Sequence, residues 1–336
     1  MREQLNYNSH HNSIDVSIVI VNYKSWKHLK NCLDSIKTIN QDDFYYEVIV
    51  VDNYSNDNKL DGFSKKFPEF QFITNSGNYG FSSGNNLGAH QAKGEFLLFL
   101  NPDTIVTKHA LKTMLKLARD NSDYGIISCS KINIEKKPEK EIRLFPKPIT
   151  LFGLPRALYM LVNKNNIANT FNKTRQIIFP DWVSGSIIFT SKTWFNTVNG
   201  WNEDYWLYLE DVDLCKRITK AGGKVALTRC TQIIHNHGGA SRLNVKTSAL
   251  TKAEVIISKH VYINTHFNNY TKILMHFLLL FFGLITKLVL AILGVIFFFI
   301  PKLHVQSLLF YNLIKYYTNA LLKNTWISKR APNYIK

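Results

Sequence analysis

Short apolar runs alternate with amphipathic stretches along the first two thirds of the chain. Val16-Ser-Ile-Val-Ile-Val21 is a β-branched run that stops at Asn22-Tyr23, and the apolar positions from Trp26 to Ile36 recur with a helical period. Glu47 to Val51 repeats the strand pattern and ends in Asp52-Asn53-Tyr54-Ser55, a turn composition. Phe70 to Thr74 is a third run, followed by Gly77, Gly80 and Gly84 and a short predicted helix from Asn86 to Lys93. Phe96 to Leu100 is a fourth strand, and Lys108 to Arg119 a further helix. Strand and helix alternating at this spacing predict βαβ units, hence an α/β fold with a mostly parallel central sheet covered by helices on both faces.

In such sheets ligands bind beyond the carboxyl ends of the strands. Asn22, Asp52, Asn53, Asn78 and Asp103 all fall at or just past strand ends. Turn formation accounts for any one of them; their sharing one edge predicts a cleft there. Two acidic clusters add chemistry. Phe96-Leu-Leu-Phe-Leu-Asn-Pro-Asp103 is a buried-strand pattern that breaks at Asn101 and Asp103, and Trp206-Leu-Tyr-Leu-Glu-Asp-Val-Asp213 places Glu210, Asp211 and Asp213 at the opening of an amphipathic helix. The first suits a divalent cation and the second a general base, a pairing that predicts sugar transfer from a nucleotide diphosphate. Helix capping is the plainer reading of three acids at a helix start. A dinucleotide oxidoreductase would need GxGxxG after the first strand, where Asn-Tyr-Lys-Ser-Trp stands, and no GxxxxGK[ST] occurs anywhere. Without such an amide nest a diphosphate needs a cation.

Charge then changes the picture of the remaining third. The net charge is +17, and residues 241–336 supply +11 of it, with twelve Lys or Arg against the single acid Glu254. From Ile273 to Ile300 the chain is almost wholly apolar, broken by His276, Gly283, Thr286, Lys287 and Gly294 and closed by Pro301-Lys302. Nucleic-acid modules carry no such run, so the basic tail points to an anionic membrane surface, with no nucleic-acid partner. As one helix the run would reach about 42 Å, enough to span. As two half-helices, 273–285 and 288–300, it would lie in the interface with Lys287 snorkelling between them. Met1 to Ser13 is polar without an apolar core, which predicts no secretory signal and a catalytic part on the cytoplasmic face. Cys32, Cys129, Cys215 and Cys230 show no CxxC spacing and indicate neither a zinc site nor a disulfide framework.

Six segments, in order, carry a resemblance. Val-Ser-Ile-Val-Ile-Val-Asn-Tyr-Lys (16–24), Val-Val-Asp-Asn (50–53), Asn-Tyr-Gly-Phe-Ser-Ser-Gly-Asn-Asn-Leu-Gly (78–88), Leu-Asn-Pro-Asp-Thr (100–104), Leu-Tyr-Leu-Glu-Asp-Val-Asp-Leu-Cys-Lys-Arg (207–217) and His-Asn-His-Gly-Gly-Ala-Ser (235–241) resemble the inverting GT-A glycosyltransferases of family 2, in particular the rhamnosyltransferase-like branch. The resemblance covers about residues 14 to 245. It implies the GT-A nucleotide-diphospho-sugar transferase fold there, a polar N-terminal tail at 1–13, and a basic helical region at 246–336 outside the shared core.

The resemblance also implies roles. Asp52 bonds the pyrimidine base, with Asn22, Tyr23 and Asn53 lining that pocket, and Asn78 and Asn86 border the nucleotide and sugar. Asp103 ligates Mg²⁺ or Mn²⁺; Asn101 stands where the superfamily's Asp-x-Asp has its first acid, which lowers the charge of the site. His235 reaches the metal, with His237 as the alternative. Asp211 is the base in a single inverting displacement, crowded by Glu210 and Asp213 so that its proton affinity rises. Trp182, Gly185 and Ser186, with Asp213, contact the sugar and acceptor. The basic, proline-punctuated stretch from Lys136 to Lys164, with no clear period, is expected as a mobile acceptor loop. The implied donor is dTDP-L-rhamnose or another nucleotide sugar, such as a galactofuranose or hexose nucleotide. The implied acceptor is a saccharide on a polyprenyl diphosphate, in surface-polysaccharide or O-antigen assembly. A non-catalytic membrane scaffold that kept the fold is the rival from another class; both of the acids whose loss would mark it, Asp103 and Asp211, are present.

Overall fold

The computed structural model describes residues 13–172, 174–236 and 244–334. In chain order its elements are β1 (Val16–Asn22), α1 (Trp26–Lys37), β2 (Tyr46–Asp52), α2 (Leu60–Lys66), β3 (Gln71–Thr74), α3 (Gly80–Gln91), β4 (Phe96–Leu100), β5 (Thr104–Ile105), α4 (Lys108–Asp120) and β6 (Tyr124–Ile132). They continue with α5 (Gly153–Val162), α6 (Lys164–Thr170), β7 (Ile177–Ile178), β8 (Ile187–Ser191), α7 (Lys192–Thr197), α8 (Glu210–Lys220), β9 (Lys224–His235), α9 (Val245–His266), α10 (Asn269–Ile296) and α11 (Pro301–Leu322).

The strands form one sheet in the order β3-β2-β1-β4-β8-β6-β9-β5, with β7 beside β9. From β3 to β4 it is parallel, as the βαβ pattern predicts. Beyond β4 it is mixed: β8 runs antiparallel to both β4 and β6, and β6 returns to parallel against β9. Helices cover both faces, and the period-two alternation of β1 divides the core between them. Val16, Ile18 and Ile20 pack with α1 and α4, while Val19 and Val21 pack with α3, α7 and α8. Each such aliphatic side chain, removed from water on both sides of the sheet, contributes about 1.5–3 kcal/mol.

The predicted helix after Phe70–Thr74 begins six residues earlier than the sequence pattern places it, at Gly80. Gly80 has φ +91°, and a Cβ there would lie 2.0 Å from the Trp206 carbonyl oxygen. Only glycine permits this approach, which lets Phe81 N donate to Trp206 O at 3.0 Å and ties the glycine-rich loop to the approach to α8.

The helical region does not stand apart from the sheet. The expected boundary at 245 coincides with the start of α9, yet α9 closes over α8: Val261 and Tyr262 pack with Tyr205 and Val212, Lys216 donates to the Tyr262 hydroxyl at 2.8 Å, and Ser258 donates to Leu207 O at 2.8 Å. α11 packs along both α9 and α10. Of the two arrangements left open by the sequence, one helix or two half-helices, the structure has the first: a single 28-residue helix that runs unbroken through Lys287. Asn268 caps it by accepting from Thr271 N, and an unbroken Leu, Ile and Phe sequence gives no reason to stop at Lys287. It is long and apolar enough to cross a membrane, with a mean hydropathy of 2.6 over its best window and 17% of that window buried.

Candidate active site

The carboxyl ends of β1, β2 and β4 meet as expected, and the polar residues there are bonded to one another. Asn22 Nδ2 donates to Asp52 Oδ1 at 3.1 Å, and Asp52 also accepts from Ser55 N and Ser55 Oγ at 2.9 and 2.5 Å. Asn53 Nδ2 donates to Asn78 Oδ1 and to Gly80 O, while its Oδ1 accepts from Asn75. A carboxylate offers about four acceptor directions, so Asp52, buried and holding three donors, has one left for a ligand. Tyr23 stands beside it, half-buried, with the Lys24 ammonium over its ring.

Asn86 is used differently from its expected place beside the nucleotide. Its Nδ2 donates to Trp201 O and Glu203 Oε1, both at 2.8 Å, and its Oδ1 accepts from Trp201 N at 2.9 Å. The whole amide is spent tying α3 to the segment that leads into α8. Asp213 likewise turns inward. It is 0% exposed, with Arg217 Nε on one oxygen and His266 Nε2 on the other, both at 2.7 Å. It has no exposed atom with which to meet an acceptor; it anchors α8 to α9 instead.

Asp103 and His235 are brought together by strand pairing. β5 runs antiparallel to β9 with Thr104 opposite His235, which sets the residue before Thr104 against the end of β9. Asp103 Oδ1 is buried and accepts no hydrogen bond from the described residues, and His235 Nε2 lies 3.4 Å from it. His235 Nδ1 is 2.5 Å from Glu139 Oε1. Burial works against a proton on His235, but the negative charges of Asp103 and Glu139, with the Glu139 hydrogen bond, outweigh it and raise the imidazole's pKa. His237 lies outside the described residues. The side-chain amide of Asn101 makes no hydrogen bond with described residues, while its backbone N–H donates to Ser186 O at 3.1 Å.

An ordered path joins this cluster to the second one. Glu139 Oε2 lies 3.3 Å from Lys131 Nζ, and Lys131 Nζ donates to Ser186 Oγ at 2.9 Å. Next in the chain, Gly185 N donates to Asp211 Oδ2 at 2.9 Å, and Val212 N donates to Asp211 Oδ1 at 2.8 Å. Two amides thus hold the carboxylate of Asp211 at the first turn of α8. Burial raises its pKa, against the pull of those amides and of Arg143 and Lys131. Glu210 is pushed up further by burial and by the charges of Asp211 and Asp213. It is turned inward, 7% exposed, whereas Asp211 keeps partial exposure. Tyr208 and Leu209 both have positive φ, 76° and 63°, immediately before Glu210; such backbone costs about 1–3 kcal/mol per residue and clusters where a side chain must be aimed. Trp182 forms one wall, its Nε1 donating to Leu144 O and its ring carrying the Arg143 guanidinium at 4.5 Å.

Lys131, Glu139 and Arg143 were not legible as site residues. Lys131 closes an apolar strand, and Glu139 sits among Lys136, Lys137 and Lys140, where a carboxylate reads as a solvated charge.

One carboxylate oxygen without a partner and one imidazole nitrogen suit a divalent cation that completes its shell with phosphate and water. No cluster of three or more His, Cys, Asp or Glu fit to hold a metal occurs among the described residues. Glu139 on the far ring nitrogen is the arrangement that orients a metal-binding histidine.

Residues 17–180 match the family described as Glycosyl transferase family 2, and residues 169–238 match one described as N-terminal domain of galactosyltransferase. A low-salt glycan biosynthesis hexosyltransferase, Agl10 of Haloferax volcanii, is 29% identical over 227 residues, covering 66% of this chain and 67% of that protein. The rhamnosyltransferase WbbL of Escherichia coli is 28% identical over 229 residues, covering 66% and 83%. An N-acetylglucosaminyl-diphospho-decaprenol L-rhamnosyltransferase of Mycobacterium tuberculosis is 23% identical over 235 residues, covering 65% and 75%. Among solved structures, GalNAc-T7 with UDP, GalNAc and Mn²⁺ superposes with a TM-score of 0.53 at 16% identity, over 72% of this chain and 48% of that one. Residues 1–349 of Staphylococcus aureus TarS superpose with a TM-score of 0.50 at 16% identity, over 77% and 68%. The fold is GT-A-like.

Proposed function

We propose, from the premise that this chain carries a glycosyl transferase family 2 domain, that it moves a sugar from a nucleotide diphosphate to a lipid-linked saccharide with inversion at the anomeric carbon. The observation that carries this reading is the Asp211 carboxylate, amide-held at the start of α8, partly exposed and raised in proton affinity. It takes the proton of the acceptor hydroxyl as that oxygen bonds to the anomeric carbon; the bond from that carbon to the diphosphate breaks on the opposite face, and the diphosphate leaves with the electron pair. Gly185 N–H and Val212 N–H keep the carboxylate aimed, and burial keeps its proton affinity high. Asn22, Tyr23, Asp52 and Asn53 form the base pocket, with Asn78 at its rim. A divalent cation, Mg²⁺ or Mn²⁺, held by Asp103 and His235 would neutralise charge on the departing diphosphate. Trp182, Gly185 and Ser186 line the acceptor side.

The donor is dTDP-L-rhamnose and the acceptor a saccharide on a polyprenyl diphosphate, a reading supported by likeness to two rhamnosyltransferases, one named for a diphospho-decaprenol acceptor. A hexose or galactofuranose nucleotide is the second reading, favoured by the galactosyltransferase match over 169–238. The C-terminal helices hold the enzyme at the cytoplasmic face of the membrane. Lys287, in the middle of α10, is close enough to Lys259 of α9 to perturb its ionisation, and Ser258 next to it bonds the Leu207 carbonyl at the approach to the site. In this reading α10 lies in the membrane plane, with its middle beside α9 and the catalytic domain. Nucleotide release from a panel of dTDP-, UDP- and GDP-sugars, with polyprenyl-linked acceptor and Mg²⁺ or Mn²⁺, tests the reading beside Asp211→Asn and Asp103→Ala. Release from dTDP-rhamnose, lost in both variants, is expected. Release from another donor overturns the rhamnosyl assignment, and silence across the panel overturns the transferase.

A further inference from the structure

The stretch expected as an unpatterned acceptor loop contains α5, an amphipathic helix whose apolar face is left exposed by the described residues. Leu154, Leu158, Leu161 and Val162 recur at helical spacing on one side and are 86, 61, 69 and 76% exposed. Prolines at 146, 148 and 155 hide the period in the sequence. Just before α5, Leu151 packs with Ile263, Met275 and Leu279, and the Phe152 ring meets Phe282 of α10 at 6.3 Å, edge to face. The apolar face of α5 therefore adjoins that of α10, where Phe277, Phe281, Phe282 and Ile285 are likewise exposed.

Arg156 on α5, Lys259 on α9 and Lys287 on α10 are near enough for the first and last to act electrostatically on the second. Lys259 Nζ donates to Leu151 O at 3.3 Å, and burial, then Arg156, then Lys287 pull its pKa down. No carboxylate among the described residues pairs with any of the three. Uncompensated cations along a wide apolar surface suit lipid phosphates. A second copy of the chain suits them poorly: a two-fold contact through this face would set each cation against its own equivalent.

We propose that α5 and α10 lie side by side in the headgroup region of an anionic phospholipid bilayer, with Arg156, Lys259 and Lys287 gathering lipid phosphates between them. The proposal rests on the membrane reading of α10 and adds to it a second inserted helix and a phosphate seat. The segment that inserts is the one that supplies Glu139 and Arg143, so docking sets the acceptor side of the site at the bilayer surface.

Site-specific fluorescence on the full chain in lipid nanodiscs tests this. With the exposed Cys230 changed to serine, an environment-sensitive dye is placed on Leu158→Cys, on Ile292→Cys in α10, and on Lys112→Cys in α4. Blue-shifted emission quenched by brominated acyl chains is expected at 158 and 292, and water-like emission at 112. A water-like 158 beside a lipid-exposed 292 overturns the role of α5 and leaves that of α10 standing. Water-like emission at both overturns the two together, as does a dimer that shields 158 without lipid. For the phosphate seat, Arg156→Gln, Lys259→Gln and Lys287→Gln together are expected to lower co-flotation with phosphatidylglycerol vesicles by about a hundredfold, at roughly fivefold per cation, and to leave phosphatidylcholine vesicles unaffected. An equal loss with both lipids, or none with either, overturns the seat.

Discussion

His235 is fixed in orientation by Glu139: its Nδ1 lies 2.5 Å from Glu139 Oε1, which turns Nε2 toward the unpartnered oxygen of Asp103. The two residues are 96 apart in sequence. Their contact holds the imidazole ring in one orientation between the two carboxylates.

Glu139→Gln is expected to raise the Mg²⁺ or Mn²⁺ concentration needed for half-maximal nucleotide release by about 10- to 100-fold, the usual cost of removing a partner that orients a ligating histidine. Titrating metal against initial rate reads it. An unchanged midpoint would show that Glu139 serves Lys131 alone.

Asp211→Asn is expected to lower kcat by about 10²- to 10⁴-fold while donor binding survives. Since burial raises the pKa of Asp211, and a base acts only once deprotonated, kcat/KM should rise with pH through a limb above the ordinary carboxylate range. A limb in the ordinary range, or one that persists in the asparagine variant, would assign the base elsewhere.

Gly80→Ala is expected to lower stability by more than about 1 kcal/mol, since alanine is strained at φ +91° and its Cβ would collide with Trp206 O. Activity should fall further than stability, because the displaced segment leads directly into α8. Thermal melts beside rates at a temperature where the variant stays folded would separate the two.

Burial pushes the Glu254 carboxyl up to about 7, against the opposing pull of Arg330 and Ser328. With its folded pKa above its unfolded one, the native state binds the extra proton between the ordinary carboxylate range and about 7. Stability from this group is therefore lost as pH rises through that window and restored as pH falls. Glu254→Gln should melt higher than wild type above about pH 7, with the gap shrinking on acidification. A gap independent of pH would mean that Glu254 is ionised throughout.

Most of the candidate site residues lie at strand ends and at one helix start, places marked by local composition. Asn22, Asp52, Asn53, Asn78 and Asp103 gather on one sheet edge as the alternation of strand and helix requires. The motif set Asp211 apart as the base but also gave Asp213 to the acceptor side; both occupy the first turn of α8, and the packing of α9, with His266 on Asp213, buries that one and leaves Asp211 partly exposed. Asn86 reads as a ligand contact and proves to be a tie between α3 and residues 201–203 for the same reason, since its partners lie 115 and 117 residues away.

The sequence alone was enough to place the first four strands and the polar and acidic residues at their carboxyl ends, because periodicity and strand-end composition act over a few residues at a time. Tertiary structure alone decided that Glu139 would meet His235, that Lys131 would link the two acidic clusters, and that Leu151 and Phe152 would pack against α10. Those contacts depend on register between strands and on packing between helices far apart in the chain, and a charge or a leucine in a short segment carries the same local signal whether it ends in solvent or against a partner.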